Sequence, residues 1–233
     1  MRVLICAATA NEAKACELGV QDAGVENRVE VLRTGMGFER ASHALQQRLK
    51  QQSRPDLIVS SGVAGSLGSE LLLHSWVVAN SIYVAQGATP AQRLPLSKLR
   101  DQLGNVRSCT VVSTNNLAFA DDKTLNAYRD LARPLVVDME SAALARVANE
   151  FGIEFMVLRM ISDSADSPLP HFAAEFASAM TTKSMLARLN HVVRGTHQAL
   201  RDPMGVLRMT KEPRLWGKLL RQGWREYAGA LFD

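Results

Sequence analysis

Seven apolar runs of strand length punctuate the chain: Val3–Ala8, Val29–Leu32, Leu57–Ser60, Trp76–Val84, Val106–Val112, Leu135–Val137 and Phe155–Ile161. Most are continuous and rich in Val, Ile and Leu, the pattern of strands covered on both faces. Between them, apolar residues recur at helical spacing. This predicts helices at Asn11–Leu18, Phe38–Gln51, Asp121–Arg133 and Ser141–Glu150, with further helices within Phe172–Ala179 and Lys183–Ala199. Alternating strands and helices specify an α/β domain of three layers, α/β/α, around a central, mostly parallel mixed sheet. Pro168-Leu169-Pro170 reads as a rigid loop, and Asp202-Pro203 as the end of the main domain. That divides the chain into one domain, residues 1–201, and a tail, residues 202–233.

Composition narrows the picture. A chain of 233 residues with 47% hydrophobic content can bury one sizeable core, as single α/β domains of this length do. No stretch approaches the roughly 18–20 apolar residues of a membrane span. The run from Met1 to Ala8 is followed too soon by Asn11, Glu12 and Lys14 to be a signal peptide, so a buried first strand is expected. The three cysteines, Cys6, Cys16 and Cys109, have no metal-ligand spacing, and two lie in apolar runs, which suits the reducing cytosol. The five histidines have no such spacing either, so no metal site is expected.

Net charge is +4, and residues 194–233, with eight Lys/Arg against four Asp/Glu, account for all of it. A neutral body argues against nucleic acid as a partner and marks the tail as specialised. In the tail, Leu215, Trp216, Leu219, Leu220, Tyr227 and Leu231 fall near one helical face, and Arg214, Lys218, Arg221 and Arg225 follow another. A basic amphipathic helix with Trp either lies on an anionic membrane surface or packs on protein.

Ligands of open α/β sheets sit beyond the carboxyl ends of strands. Four such places are chemically loaded. The first strand runs into Ala8-Thr9-Ala10-Asn11-Glu12, where the carboxylate either complements the helix dipole or faces a ligand. Leu57–Ser60 leads into Ser61-Gly62-Val63-Ala64-Gly65-Ser66-Leu67-Gly68, a loop that lets backbone approach a ligand but matches neither the dinucleotide fingerprint nor the P-loop. Thr34-Gly35-Met36-Gly37 is a similar turn. At Asp138-Met139-Glu140-Ser141, two acids flank a strand-to-helix turn; they either serve the helix start or accept hydrogen bonds from a vicinal diol. Finally, Arg159 interrupts an apolar strand and needs a carboxylate partner, for which Glu12 is the candidate. Asp163 and Asp166 follow it as either loop caps or chemistry.

Together, in this order and at these distances, the motifs resemble the purine nucleoside phosphorylase/methylthioadenosine nucleosidase superfamily over about Met1 to Leu200. Val137-Asp138-Met139-Glu140-Ser141-Ala142 and Arg159-Met160-Ile161-Ser162-Asp163-Ser164-Ala165-Asp166 carry the likeness most strongly. The resemblance implies a nucleoside phosphorylase-like fold and cleavage of the N-glycosidic bond of a purine nucleoside, with no metal or redox cofactor. It makes Asp163 the general acid at purine N7 and Glu12 the carboxylate that deprotonates the attacking water. Arg159 would hold Glu12 and that water. It makes Glu140 the acceptor of the ribose hydroxyls and Met139 the floor of the sugar. Asp138, Val63, Gly65 and Ser162 join the substrate site, and Ser113, Asn115 and Phe119 come from the base-pocket stretch Ser113–Phe119. A homo-oligomer is also implied. The chemistry requires Asp163 to keep its proton, through burial or a neighbour such as Asp166, while Glu12 stays charged.

Departures from the pattern bear on the nucleophile. Phosphorylases of the superfamily carry an arginine after the first strand, and bacterial members add an Arg and a Ser around the second glycine loop. Here Ala8–Asn11 holds no arginine, and Ser60 and Val63 stand at the other two places, which favours water over phosphate. Gly62-Val63-Ala64-Gly65 looks more like the hopanoid-associated branch, whose substrate is thought to be adenosylhopane. A nucleoside phosphorylase and a non-catalytic nucleotide-binding module are the rival readings.

Overall fold

A computed structural model describes residues 1–86, 89–90, 103, 106–114, 128, 131–132, 134–182 and 184–232. Its strands are β1 (Val3–Ala7), β2 (Val29–Arg33), β3 (Leu57–Ser66), β4 (Trp76–Gln86), β5 (Thr89–Pro90), β6 (Arg107–Ser113), β7 (Leu135–Asp138) and β8 (Glu154–Asp163). The helices are α1 (Ala10–Asp22), α2 (Phe38–Gln51), α3 (Ser141–Glu150), α4 (His171–Thr181), α5 (Met185–Arg201) and α6 (Pro203–Ala230). The predicted helix Asp121–Arg133 falls, apart from isolated positions, outside the described residues.

Strand alternation sorts the core into two layers. Val3, Ile5 and Ala7 of β1 pack with α1 and with Trp224 of α6, whereas Leu4 and Cys6 face Leu45 of α2 and Ala145 of α3. Helices therefore cover both sheet faces, and the predicted α/β fold holds. All three cysteines are buried and free. The sheet is mixed and mostly parallel: β2–β1–β3–β8 and β4–β6–β7 run parallel, while β8–β4 and β3–β7 are antiparallel.

Two features could not be read from the sequence. The stretch from Ser61, read as a glycine-rich loop, instead continues β3 to Ser66. Its edges are taken by β8 as far as Gly65 and by β7 at Gly65 and Ser66, so the backbone stays in a ladder. This second partnership closes β3, β8, β4, β6 and β7 into a ring and brings the ends of β3, β7 and β8 together. That junction positions the site.

The tail is the other. Asp202 accepts a hydrogen bond from Gly205 N–H at 2.8 Å and Pro203 opens a helix of 28 residues, the arrangement a helix start favours. Of the two alternatives, bilayer or protein, its apolar residues take the second: apart from Leu215 they turn onto the domain. Leu220 and Leu231 are fully buried, and Trp216, Leu219 and Tyr227 pack against core clusters. Gly19 of α1 makes this approach possible, because a Cβ there would lie 2.6 Å from Cβ of Trp224. Trp224 is the largest fully buried side chain, and its indole N–H donates to Ser61 Oγ at 2.9 Å. Arg221 clamps Asp22 with two hydrogen bonds. The tail therefore supplies part of the core.

Trp224→Ala should leave a cavity beneath β1 and β3 and cost about 3–5 kcal/mol. Thermal unfolding should show a transition lowered on the order of 10 °C.

Candidate active site

The carboxyl ends of β1, β3, β7 and β8 open into one cavity of about 560 Å³, within the range of small-molecule sites. Glu12, Val63, Gly65, Asp138, Met139, Glu140, Ser162 and Asp163, eight of the residues singled out from sequence, line it. Thr114, from the expected base-pocket stretch, lines it too. Asn115 and Phe119 lie outside the described residues.

Glu12 is placed by the start of α1. Thr9 and Glu12 form a capping box: Glu12 Oε2 accepts from the Thr9 N–H at 2.9 Å and from its hydroxyl at 2.8 Å. Oε1 accepts from Val63 N–H at 2.9 Å, which ties the first helix to β3. Gly62 makes that approach possible. Its φ is +134°, and a Cβ would sit 2.4 Å from Glu12 Oε1 and 2.9 Å from an Arg159 nitrogen.

Arg159 lies beneath the cavity floor and is fully buried. Its partner differs from the expected one: the guanidinium pairs with Asp138 at 2.9 Å, with Glu140 next at 3.7 Å, rather than with Glu12. Glu12 spends its oxygens on Thr9 and Val63, whereas Asp138 projects from the end of β7 directly over β8. Arg159 also donates to Ser61 O, Ser60 Oγ and Ser141 Oγ. Burial opposes its charge, but Asp138, Glu140 and then Glu12 more than compensate and raise its pKa.

Asp138 and Ser113 are structural in consequence. Asp138 accepts from Ser113 Oγ at 2.5 Å, from Ser141 N–H at 3.2 Å and from the Ser141 hydroxyl. Ser113 is wholly buried and also accepts from Ala142 N–H at 3.0 Å, so its side chain orients Asp138 and does not reach a base.

Glu140, buried, and Asp163, half-buried, remain as acids on the cavity wall. Glu140 Oε1 accepts from Gly37 N–H at 3.0 Å, so the early turn Thr34–Gly37 also joins the site. Burial pushes the Glu140 carboxyl up to about 7; Arg159 opposes the rise and Asp138 adds to it. Asp163 lies against Gly65, where a Cβ would be 2.9 Å from Oδ2, and Ser162 Oγ donates to Oδ1 at 2.6 Å. Burial raises its pKa, opposed by the Ser162 hydroxyl and by Arg208 of α6. The expected neighbour Asp166 does not contribute to that shift; desolvation does.

The sequence matches the phosphorylase superfamily over residues 24–194. The chain belongs to that superfamily. As a member it is an enzyme. A 5′-methylthioadenosine/S-adenosylhomocysteine nucleosidase of Shewanella halifaxensis is 27% identical over 164 residues, 61% of this chain and 71% of the relative. The Shewanella baltica enzyme of the same name is 27% identical over 190 residues, 70% and 80% of the two chains. Among solved structures, a Borrelia burgdorferi protein bound to adenine superposes with a TM-score of 0.62 at 20% identity, covering 82% of this chain and 99% of that one. The Helicobacter pylori futalosine hydrolase gives 0.61 at 16% identity, covering 85% and 98%. These likenesses show the fold.

Sequence reasoning missed the apolar wall of the cavity. Phe172, Phe176, Val206, Met209 and Trp216 of α4 and α6 form it, and Leu169 of the proline loop joins them. Apolar residues at helical spacing read as core or as a membrane face, so nothing in the sequence marked them as pocket walls.

The raised Glu140 has a thermodynamic signature. Its protonated form is favoured in the folded state, so its stabilising contribution is complete below pH 4.5 and is lost as pH rises through about 7. Glu140→Gln should remove that dependence. Denaturant titrations should show wild type losing stability relative to the variant between these values.

Proposed function

We propose that this enzyme hydrolyses the N-glycosidic bond of a purine nucleoside and releases adenine. The observation that carries this reading is the sign of the cavity. Its described ionisable lining residues are Glu12, Asp138, Glu140 and Asp163, with no Lys or Arg among them. A phosphate dianion would meet repulsion there without a charged donor, whereas water and a neutral nucleoside would not. The names of the Shewanella nucleosidases support the same substrate class.

Asp163, whose protonated form burial favours, gives its proton to purine N7 as the C1′–N9 bond breaks and the bonding electron pair passes to the base. The sugar becomes oxocarbenium-like. A water oxygen then bonds to C1′, and Glu12, fixed by Thr9 and Val63, takes the water's proton. Glu140 accepts hydrogen bonds from the ribose hydroxyls above Met139. Proton exchange with solvent resets both acids. Arg159 acts through Asp138 and Glu140, as the buried cation that lets several carboxylates share one wall.

A second reading concerns the 5′ substituent. The apolar wall that α4 and α6 give the cavity supports a large apolar group there, consistent with the resemblance to the hopanoid-associated branch and its adenosylhopane substrate. Three buried, free cysteines support residence in the reducing cytosol, where the superfamily resemblance also implies a homo-oligomer.

An adenine-release screen over adenosine, methylthioadenosine, adenosylhomocysteine and lipid-linked nucleosides tests the reading. The sugar product should be free ribose or its 5′-substituted form, with or without phosphate; a phosphate-dependent sugar 1-phosphate would establish phosphorolysis. Asp163→Asn should lower kcat by roughly 10²–10⁴-fold while leaving substrate binding nearly intact. Because Asp163 must hold its proton, kcat/KM should fall as pH rises through its raised pKa.

A further inference from the structure

The cavity's apolar wall does not close inside the protein. Phe176 and Val206 belong to it and are also 37% and 38% exposed, so it continues onto the outer surface. There it meets α5 and the first half of α6. Met185, Leu186, Leu189, Val193, Leu200 and Met204 are each between 59% and 86% exposed. Leu186, Leu189, Val193 and Leu200 recur at helical spacing on α5, and Met204 follows just past the Asp202 junction. An apolar array of this extent on a protein surface marks an interaction site.

Charge indicates the partner. Across α5 and the first half of α6, residues 185–216, the chain carries six Lys/Arg and two acids. Of the acids, Asp202 caps α6 and Glu212 pairs with Arg208. Arg194, Arg201 and Lys211 are exposed alongside the apolar residues. A second copy of the chain meeting this face across a two-fold axis would set basic surface against basic surface. An anionic bilayer satisfies both components, because apolar side chains enter the acyl boundary while arginines meet lipid phosphates.

The geometry points to a peripheral membrane-docking face formed by α5 and the first half of α6, with an anionic phospholipid surface as its partner. It differs from the apolar stripe that continues along α6 to Leu231, which the domain covers. Docking there sets the apolar mouth of the cavity against the bilayer. The inference rests on surface exposure and charge, independently of the reaction.

Flotation of the full chain with phosphatidylcholine vesicles, with and without phosphatidylglycerol, tests it. The wild type should float with the anionic vesicles, less so at high salt, and remain behind with the neutral ones. Leu189→Glu/Val193→Glu changes two exposed positions outside the cavity lining and should reduce flotation at least tenfold, with its cooperative thermal transition retained. Arg194→Glu/Arg201→Glu should weaken it through charge alone. No flotation of the wild type, or equal flotation of wild type and L189E/V193E, would overturn the proposal. Dissociation of an oligomer by L189E/V193E, without vesicle binding by the wild type, would assign the face to a second copy and overturn it as well. Adenine release, followed separately, distinguishes failure here from failure of the hydrolase reading.

Discussion

One buried cation organises the site. Arg159 sits beneath the cavity with Asp138 at 2.9 Å and Glu140 at 3.7 Å, and Glu12 adds to the field that keeps it charged. A guanidinium so placed would be very costly unpaired, and the acids would be equally costly without it. Breaking such a pair by removing one partner typically costs about 3–5 kcal/mol. The serines around it complete the arrangement: Ser60 and Ser141 accept from Arg159, and Ser113 and Ser141 donate to Asp138. Carboxylates can crowd one wall only because this charge lies under them.

The same electrostatics divide the acids by role. Asp138 is consumed by the floor. Glu140, between the floor and the cavity, is pushed up to about 7. Asp163 stands at the end of β8, with burial as the largest influence on it and the Ser162 hydroxyl opposing. One strand thus delivers both the buried cation and, four residues on, an acid whose pKa burial raises. The extended β3 serves both: Gly62 leaves room for Glu12 beside Arg159, and Gly65 leaves room for Asp163.

Much of this was legible in the sequence, for identifiable reasons. Continuous apolar runs and helical periodicity located strands and helices, and α2 and α3 begin and end at the predicted residues. The motifs at Asp138–Ser141 and Arg159–Asp166 were recognisable because each joins polar residues to a strand end. What was not legible depends on tertiary pairing. On paper Glu12 was the candidate partner for Arg159; the register of β7 and β8 against β3 gives that place to Asp138. A glycine-rich segment reads as loop until a second partner strand claims its edge. The amphipathic tail was ambiguous for the same reason: its stripe matches a bilayer or a domain equally well, and Gly19 with Trp224 settles where its second half lies.

Hydrolysis by this site requires Asp163 to carry a proton at neutral pH while a charged framework surrounds it. Carbon NMR of carboxyl-labelled enzyme, assigned by comparison with an Asp163 variant and followed from acid to alkaline pH, reads this directly. The account predicts that the Asp163 signal keeps its protonated chemical shift through the range where ordinary aspartates ionise, and titrates only well above it. A signal that titrates with the exposed aspartates would contradict the account.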